Sequence, residues 1–102
     1  MQNKQKNAEH PYIILQREGS QDVAIVKGTN VHVWAIVGYR NLGMNPEEIV
    51  ETLPHLSLAQ VYDALSYYCD HKEEIEKSLS ENKLTDEFVD TRQKKFKALV
   101  SI

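Results

Sequence analysis

Residues 43–68, G-M-N-P-E-E-I-V-E-T-L-P-H-L-S-L-A-Q-V-Y-D-A-L-S-Y-Y, contain two helix starts of the same design placed close together. In the first, Asn45 is a good N-cap and Pro46 occupies the first helical position, where a missing N–H costs nothing. Glu48 stands three residues after the cap, as a capping box requires, and Met44 and Ile49 have hydrophobic-staple spacing. The second start repeats the scheme with Ser57 as cap, Gln60 as its reciprocal partner, and Leu56 and Val61 as the staple pair. Between them Pro54 biases Leu53 out of the helical region, so Leu53–Leu56 predicts a tight corner. A short helix, a sharp turn and a longer helix form a helix-turn-helix pattern.

The flanks complete the expected fold. Tyr12–Gln16 and Val23–Lys27 are short, apolar and β-branched, with turn chemistry over Arg17–Asp22, and predict a small hairpin. A first helix is expected from Val33 or Trp34 to Leu42, with Trp34, Val37 and Leu42 facing the core and Gly43 as its C′ residue. The second helix, Pro46 to about Leu53, should bury Ile49, Val50 and Leu53. After Ser57 no breaker occurs until about Asn82. The apolar positions Leu58, Val61, Leu65, Tyr68, Ile75 and Leu79, with Lys72 in the missing place, give a heptad-like register. One helix of that length would span roughly 35 Å and outrun the short helices beside it. The surplus seam therefore predicts a dimer or larger homo-oligomer, a contact with the chain's own C-terminal segment, or a contact with a different protein.

The fold expected is thus mainly α: a three-helix, helix-turn-helix bundle behind an N-terminal β-hairpin, with a C-terminal helical extension. Residues 1–11 read as a flexible polar arm, 12–82 as the folded domain, and 83–102 as the extension, in which Thr85 caps a segment bearing Phe88, Val89, Phe96, Leu99 and Val100. Length and a 41% apolar share fit one modest globular core. No apolar run reaches the roughly 18–20 residues of a membrane span. The polar opening M-Q-N-K-Q-K-N-A-E-H lacks the apolar segment of an export signal. The single cysteine, Cys69, excludes an internal disulfide, and the expected location is the cytoplasm.

Charge is unevenly spread. Residues 1–40 and 83–102 each balance at +2, whereas 41–82 balance at −7, within a total of −3. The helix-turn-helix segment is therefore strongly acidic, although phosphate attraction supplies much of the affinity for DNA. Off the predicted apolar seam, Ser57, Gln60 and Tyr67 are candidates for DNA contact, with Gln60 suited to adenine. Phosphate contacts would fall to Lys4, Lys6, Lys27, Arg40 or the C-terminal lysines. Tyr68, Lys72, Ile75, Leu79, Phe88, Phe96 and Leu99 are candidates for an oligomer or partner interface. The tyrosines 62, 67 and 68 read either as a stacking surface or as Tyr68 in the core with the other two beside a groove.

Metal and catalytic chemistry find little footing. Cys69 and His71 lie two apart with His55 distant, which does not make the paired spacings of a structural zinc site. Cys69, Asp70, His71 and His55 do not share a helix face as a nucleophile set, and no glycine-rich phosphate loop is present. No enzyme activity, cofactor or small-molecule substrate is expected.

Taken together, K-G-T-N-V-H-V at 27–33, G-M-N-P-E-E-I at 43–49 and L-P-H-L-S-L-A-Q-V-Y-D-A-L at 53–65, followed by Tyr67-Tyr68 and H-K-E-E-I at 71–75, resemble the domain-of-unknown-function family 433, whose members are described as VapB-like antitoxins. The resemblance covers roughly residues 12–79. It implies a homeodomain-like three-helix core behind a hairpin, and a DNA-binding dimer that represses its own operon and neutralises a PIN-like ribonuclease toxin. It also adds Lys27, Thr29 and Asn30 to the candidate DNA contacts. Members often carry arginine after the Gly-Thr pair, where this chain has Asn30. A basic segment holding Arg92, Lys94, Lys95 and Lys97 would suit the acidic active site of such a toxin.

Overall fold

The computed structural model describes residues 5–7 and 9–82. The fold is mainly helical, with an antiparallel sheet at its N-terminal end. Strands β1 (Gln5–Asn7), β2 (Ile13–Glu18) and β3 (Gln21–Val26) lie in that order, and helices α1 (Val33–Asn41), α2 (Pro46–Thr52), α3 (Leu58–Asp70) and α4 (Lys72–Glu81) follow. The expected C-terminal extension and its Phe88, Phe96 and Leu99 lie outside the described residues.

The hairpin is tighter than the composition of Arg17–Asp22 suggests. Strands β2 and β3 pair all the way from Ile13↔Val26 to Glu18↔Gln21, leaving Gly19-Ser20 as a two-residue loop. Gly19 has φ +61° and Ser20 does not have positive φ, which is the requirement of a type II′ turn with glycine first. Arg17 and Asp22 are thereby directly opposite, 3.4 Å apart, as a cross-strand ion pair. Ile13, Leu15, Ala24 and Val26 share the sheet face that packs on the helices.

The N-terminal arm departs from expectation. Residues 5–7 pair with Ile14–Gln16 as an edge strand, because β2 would otherwise leave a row of unpaired backbone groups on that side.

Helix α1 is the centre of the bundle, touching α2, α3, α4 and β3. It buries Val33, Ile36, Val37 and Tyr39 completely or nearly so, while Trp34 and Leu42 pack at the margin. Its end is a Schellman motif. The Gly43 N–H donates to Arg40 O (3.0 Å), the Met44 N–H donates to Tyr39 O (3.3 Å), and Gly43 takes φ +99°. Both predicted capping boxes form: Asn45 with Glu48 at the head of α2, and Ser57 with Gln60 at the head of α3.

The long third helix does not form as one piece. It breaks at His71 (φ −136°, ψ 46°) into α3 and α4. The core face of α3 is Val61, Ala64 and Tyr67, not the Leu58–Val61–Leu65–Tyr68 line, and Leu58 is 39% exposed. The break turns α4 back along α1, so Ile75 (2% exposed) enters the same core and Leu79 packs against it. These two residues close an intrachain contact and are not a free oligomer seam. Lys72 is exposed at the start of α4. Tyr68 is half-buried, and its hydroxyl donates to Glu76. No helix among the described residues is long and apolar enough to cross a membrane.

Candidate protein-interaction surface

The outer side of α3 is formed by Leu58, Ala59, Tyr62, Ser66 and Cys69, all exposed, with half-buried Leu65 alongside. At helical spacing these positions fall on one stripe about a quarter-turn wide, and none is a carboxylate or a cation. Among the described residues three large apolar side chains are exposed, Tyr12 (41%), Leu58 and Tyr62 (52%). Leu58 and Tyr62 lie on this stripe, and the Tyr12 backbone is tied to its edge.

That edge is an anchor for the N-terminal segment. Asp63 and Asp70, two turns apart on α3, receive His10. Its Nδ1 is 3.2 Å from Asp63 Oδ1 and its Nε2 is 3.0 Å from Asp70 Oδ2. The second Asp63 oxygen accepts the Tyr12 backbone N–H at 2.7 Å. His10 also meets the buried Tyr67 edge-on, with ring centroids 5.4 Å apart, and His71 stacks on Tyr67 with ring centroids 4.2 Å apart. The Tyr67 hydroxyl donates to Glu74 Oε2 at 2.9 Å. Burial first, then the bond to Glu74 and the nearby negative charge, hold this phenol well above the ordinary tyrosine range.

The candidate DNA contacts are placed differently. Tyr67 is 2% exposed and belongs to the core, so it is removed from any recognition surface. Ser57 Oγ accepts the Gln60 N–H (3.2 Å) and Gln60 Oε1 accepts the Ser57 N–H (2.7 Å), so both side chains serve the cap. Thr29 is committed as well: its hydroxyl donates to Val26 O (2.8 Å) and accepts the Val31 N–H (2.9 Å). With Gly28 at φ +80°, those bonds turn the chain from β3 back on itself, where Val31 O receives the Val26 N–H and His32 bridges Ile25 before α1 starts. Lys27 and Asn30 are exposed at the rim of that turn. The K-G-T-N-V-H-V stretch is thus a turn and helix-entry device.

Residues 23–68, which hold this turn and both capped helices, match the family model described as Protein of unknown function (DUF433). The similarity is to that segment of the chain. The match spans most of β3, all of α1 and α2 and most of α3; β1, β2, the His10 anchor and α4 lie beyond it. No curated protein and no solved structure matches the chain. Within the matched residues the exposed stripe of α3 is complete except for Cys69. Among the described residues no three His, Cys, Asp or Glu side chains converge to hold a metal ion.

The exposure of Tyr62 and Leu58 was not readable from a register that placed Leu58 inside. The spacing Val61–Ala64–Tyr67 carried the correct phase, but Ala64 is a weak hydrophobic signal and the two adjacent tyrosines left the choice open.

Proposed function

We propose that this chain is the antitoxin of a toxin–antitoxin pair and acts by protein contact, with a PIN-like ribonuclease as partner and the outer stripe of α3 as the surface that meets it. One observation carries the protein-binding half of this reading: the outward stripe of α3 is uncharged and exposes Tyr62 and Leu58. Tyrosine and leucine exposed together on a rigid helix suit a partner's apolar surface, and the absence of lysine or arginine there suits phosphate poorly. The toxin assignment rests on the family resemblance.

A second reading is a homeodomain-like, oligomeric repressor that also binds operator DNA. The two capped helices joined by the Leu53–Ser57 corner favour it, and Lys27, Asn30 and Arg40 are its available polar and cationic contacts.

Co-expression with the product of the adjacent open reading frame tests the first reading. The neighbour should be toxic alone, tolerated with this protein and retained on it through purification, and Tyr62→Glu should abolish retention while leaving circular dichroism unchanged. A harmless neighbour that does not bind removes the antitoxin reading. Retention unaffected by Tyr62→Glu moves the contact away from α3.

A further inference from the structure

A cleft of about 330 Å³ opens on the side of the molecule formed by the hairpin tip, the start of α1 and the end of α4. Glu18, Gln21, His32, Trp34, Glu81 and Asn82 provide its chemistry, and among the described residues no lysine or arginine lines it. Trp34 is half-buried against the core, which fixes its ring as a wall. The His32 ring leans on it at 5.8 Å and 45°. His32 Nε2 lies 3.0 Å from Glu18 Oε2 and orients that carboxylate, which has further lone pairs to offer. Glu81 is exposed on the last turn of α4 and has no ion-pair partner among the described residues.

We infer that this cleft is a binding site for a cationic side chain, an arginine guanidinium above all. A tryptophan face attracts a cation through its quadrupole, and indole is the best of the aromatic faces for this. Guanidinium is planar and weakly hydrated, so it stacks on such a wall while its N–H fork reaches carboxylate and amide oxygens. Trp34 supplies the face, Glu18 and Glu81 the charges, and Gln21 and Asn82 carbonyl acceptors. The same cation can come from a partner protein or from Arg92, Lys94, Lys95 or Lys97 of this chain, which follow α4 in sequence. The site is separate from the α3 stripe and does not depend on the antitoxin reading.

Trp34 is the single tryptophan, so its fluorescence and its indole N–H resonance report on the cleft directly. The full chain is titrated with N-acetyl-arginine amide and with the neutral isostere N-acetyl-citrulline amide. A parallel titration uses the full chain bearing Arg92→Gln, Lys94→Gln, Lys95→Gln and Lys97→Gln. Saturable change with the arginine probe, at least about tenfold weaker with citrulline and weakened about tenfold again by Glu18→Gln with Glu81→Gln, supports the site. Binding by both chains assigns the cleft to a partner's cation. Binding by the neutralised chain alone assigns it to the chain's own basic segment. No saturable change in either chain, or equal response to citrulline, overturns the inference.

Discussion

At the residue scale, Tyr67 shows how one side chain ties the ends of the domain together. It is buried on α3, bonded to Glu74 of α4 and flanked by His10 and His71. The fold favours its protonated form, so that contribution is whole below the unfolded tyrosine pKa of about 10 and is lost as pH rises through the elevated folded value. Tyr67→Phe should cost about 1 kcal/mol at neutral pH, since Glu74 is exposed and the bond only partly desolvated. It should also flatten the fall in stability between about pH 9 and about pH 11. Urea midpoints of the two proteins at those pH values check both; parallel pH profiles would mean that Tyr67 ionises in the folded state as freely as in the unfolded chain. Thr29 offers a second residue-scale test. Thr29→Ala removes two bonds from the β3-to-α1 turn and should cost about 1–2 kcal/mol, with Thr29→Ser recovering most of it. Full stability of Thr29→Ala in thermal melts would show the turn to be held by Gly28 and its neighbours alone.

At the scale of elements, the capping boxes and the α3–α4 break separate local from long-range causes. Asn45→Ala and Ser57→Ala should each lower stability by about 1 kcal/mol, because each orphans donors at a helix start. Their effects should add, since the caps belong to different helices. Ile75→Ala should cost roughly 2–5 kcal/mol as a cavity in the intrachain core. Light scattering should give the same mass before and after that change; a drop in mass would return Ile75 to an interface between copies. The helix starts and the Gly43 terminus were legible because each depends on residues within five positions of one another, and the hairpin because its two strands are joined by a short turn. The continuity of α3 into α4 was not. His71 is no helix breaker by type, and the break follows from Ile75 and Leu79 finding α1, a contact between segments far apart in sequence.

For the whole molecule, charge and surface decide how a partner is met. The −7 segment folds into the part of the bundle that carries the uncharged α3 stripe, so DNA affinity should be low and should fall little with salt. Fluorescence anisotropy with operator-length duplex from about 50 to about 200 mM salt measures this. A steep salt slope would favour the repressor reading and give Lys27 and Arg40 a role. Tyr62→Glu should leave any such slope unchanged while abolishing capture of the proposed toxin partner.

The sequence by itself determined every feature whose cause is local: the hairpin, the two caps, the corner at Pro54 and the Schellman end at Gly43. Tertiary structure alone decided which face of α3 is buried, that Tyr67 and not Tyr68 enters the core, that residues 5–7 and His10 are anchored, and that Trp34, Glu18 and Glu81 share a cleft. Those outcomes depend on pairs such as His10 with Asp70 and Ile75 with α1. Periodicity in one helix fixes spacing along the chain but leaves phase to the surface it packs against.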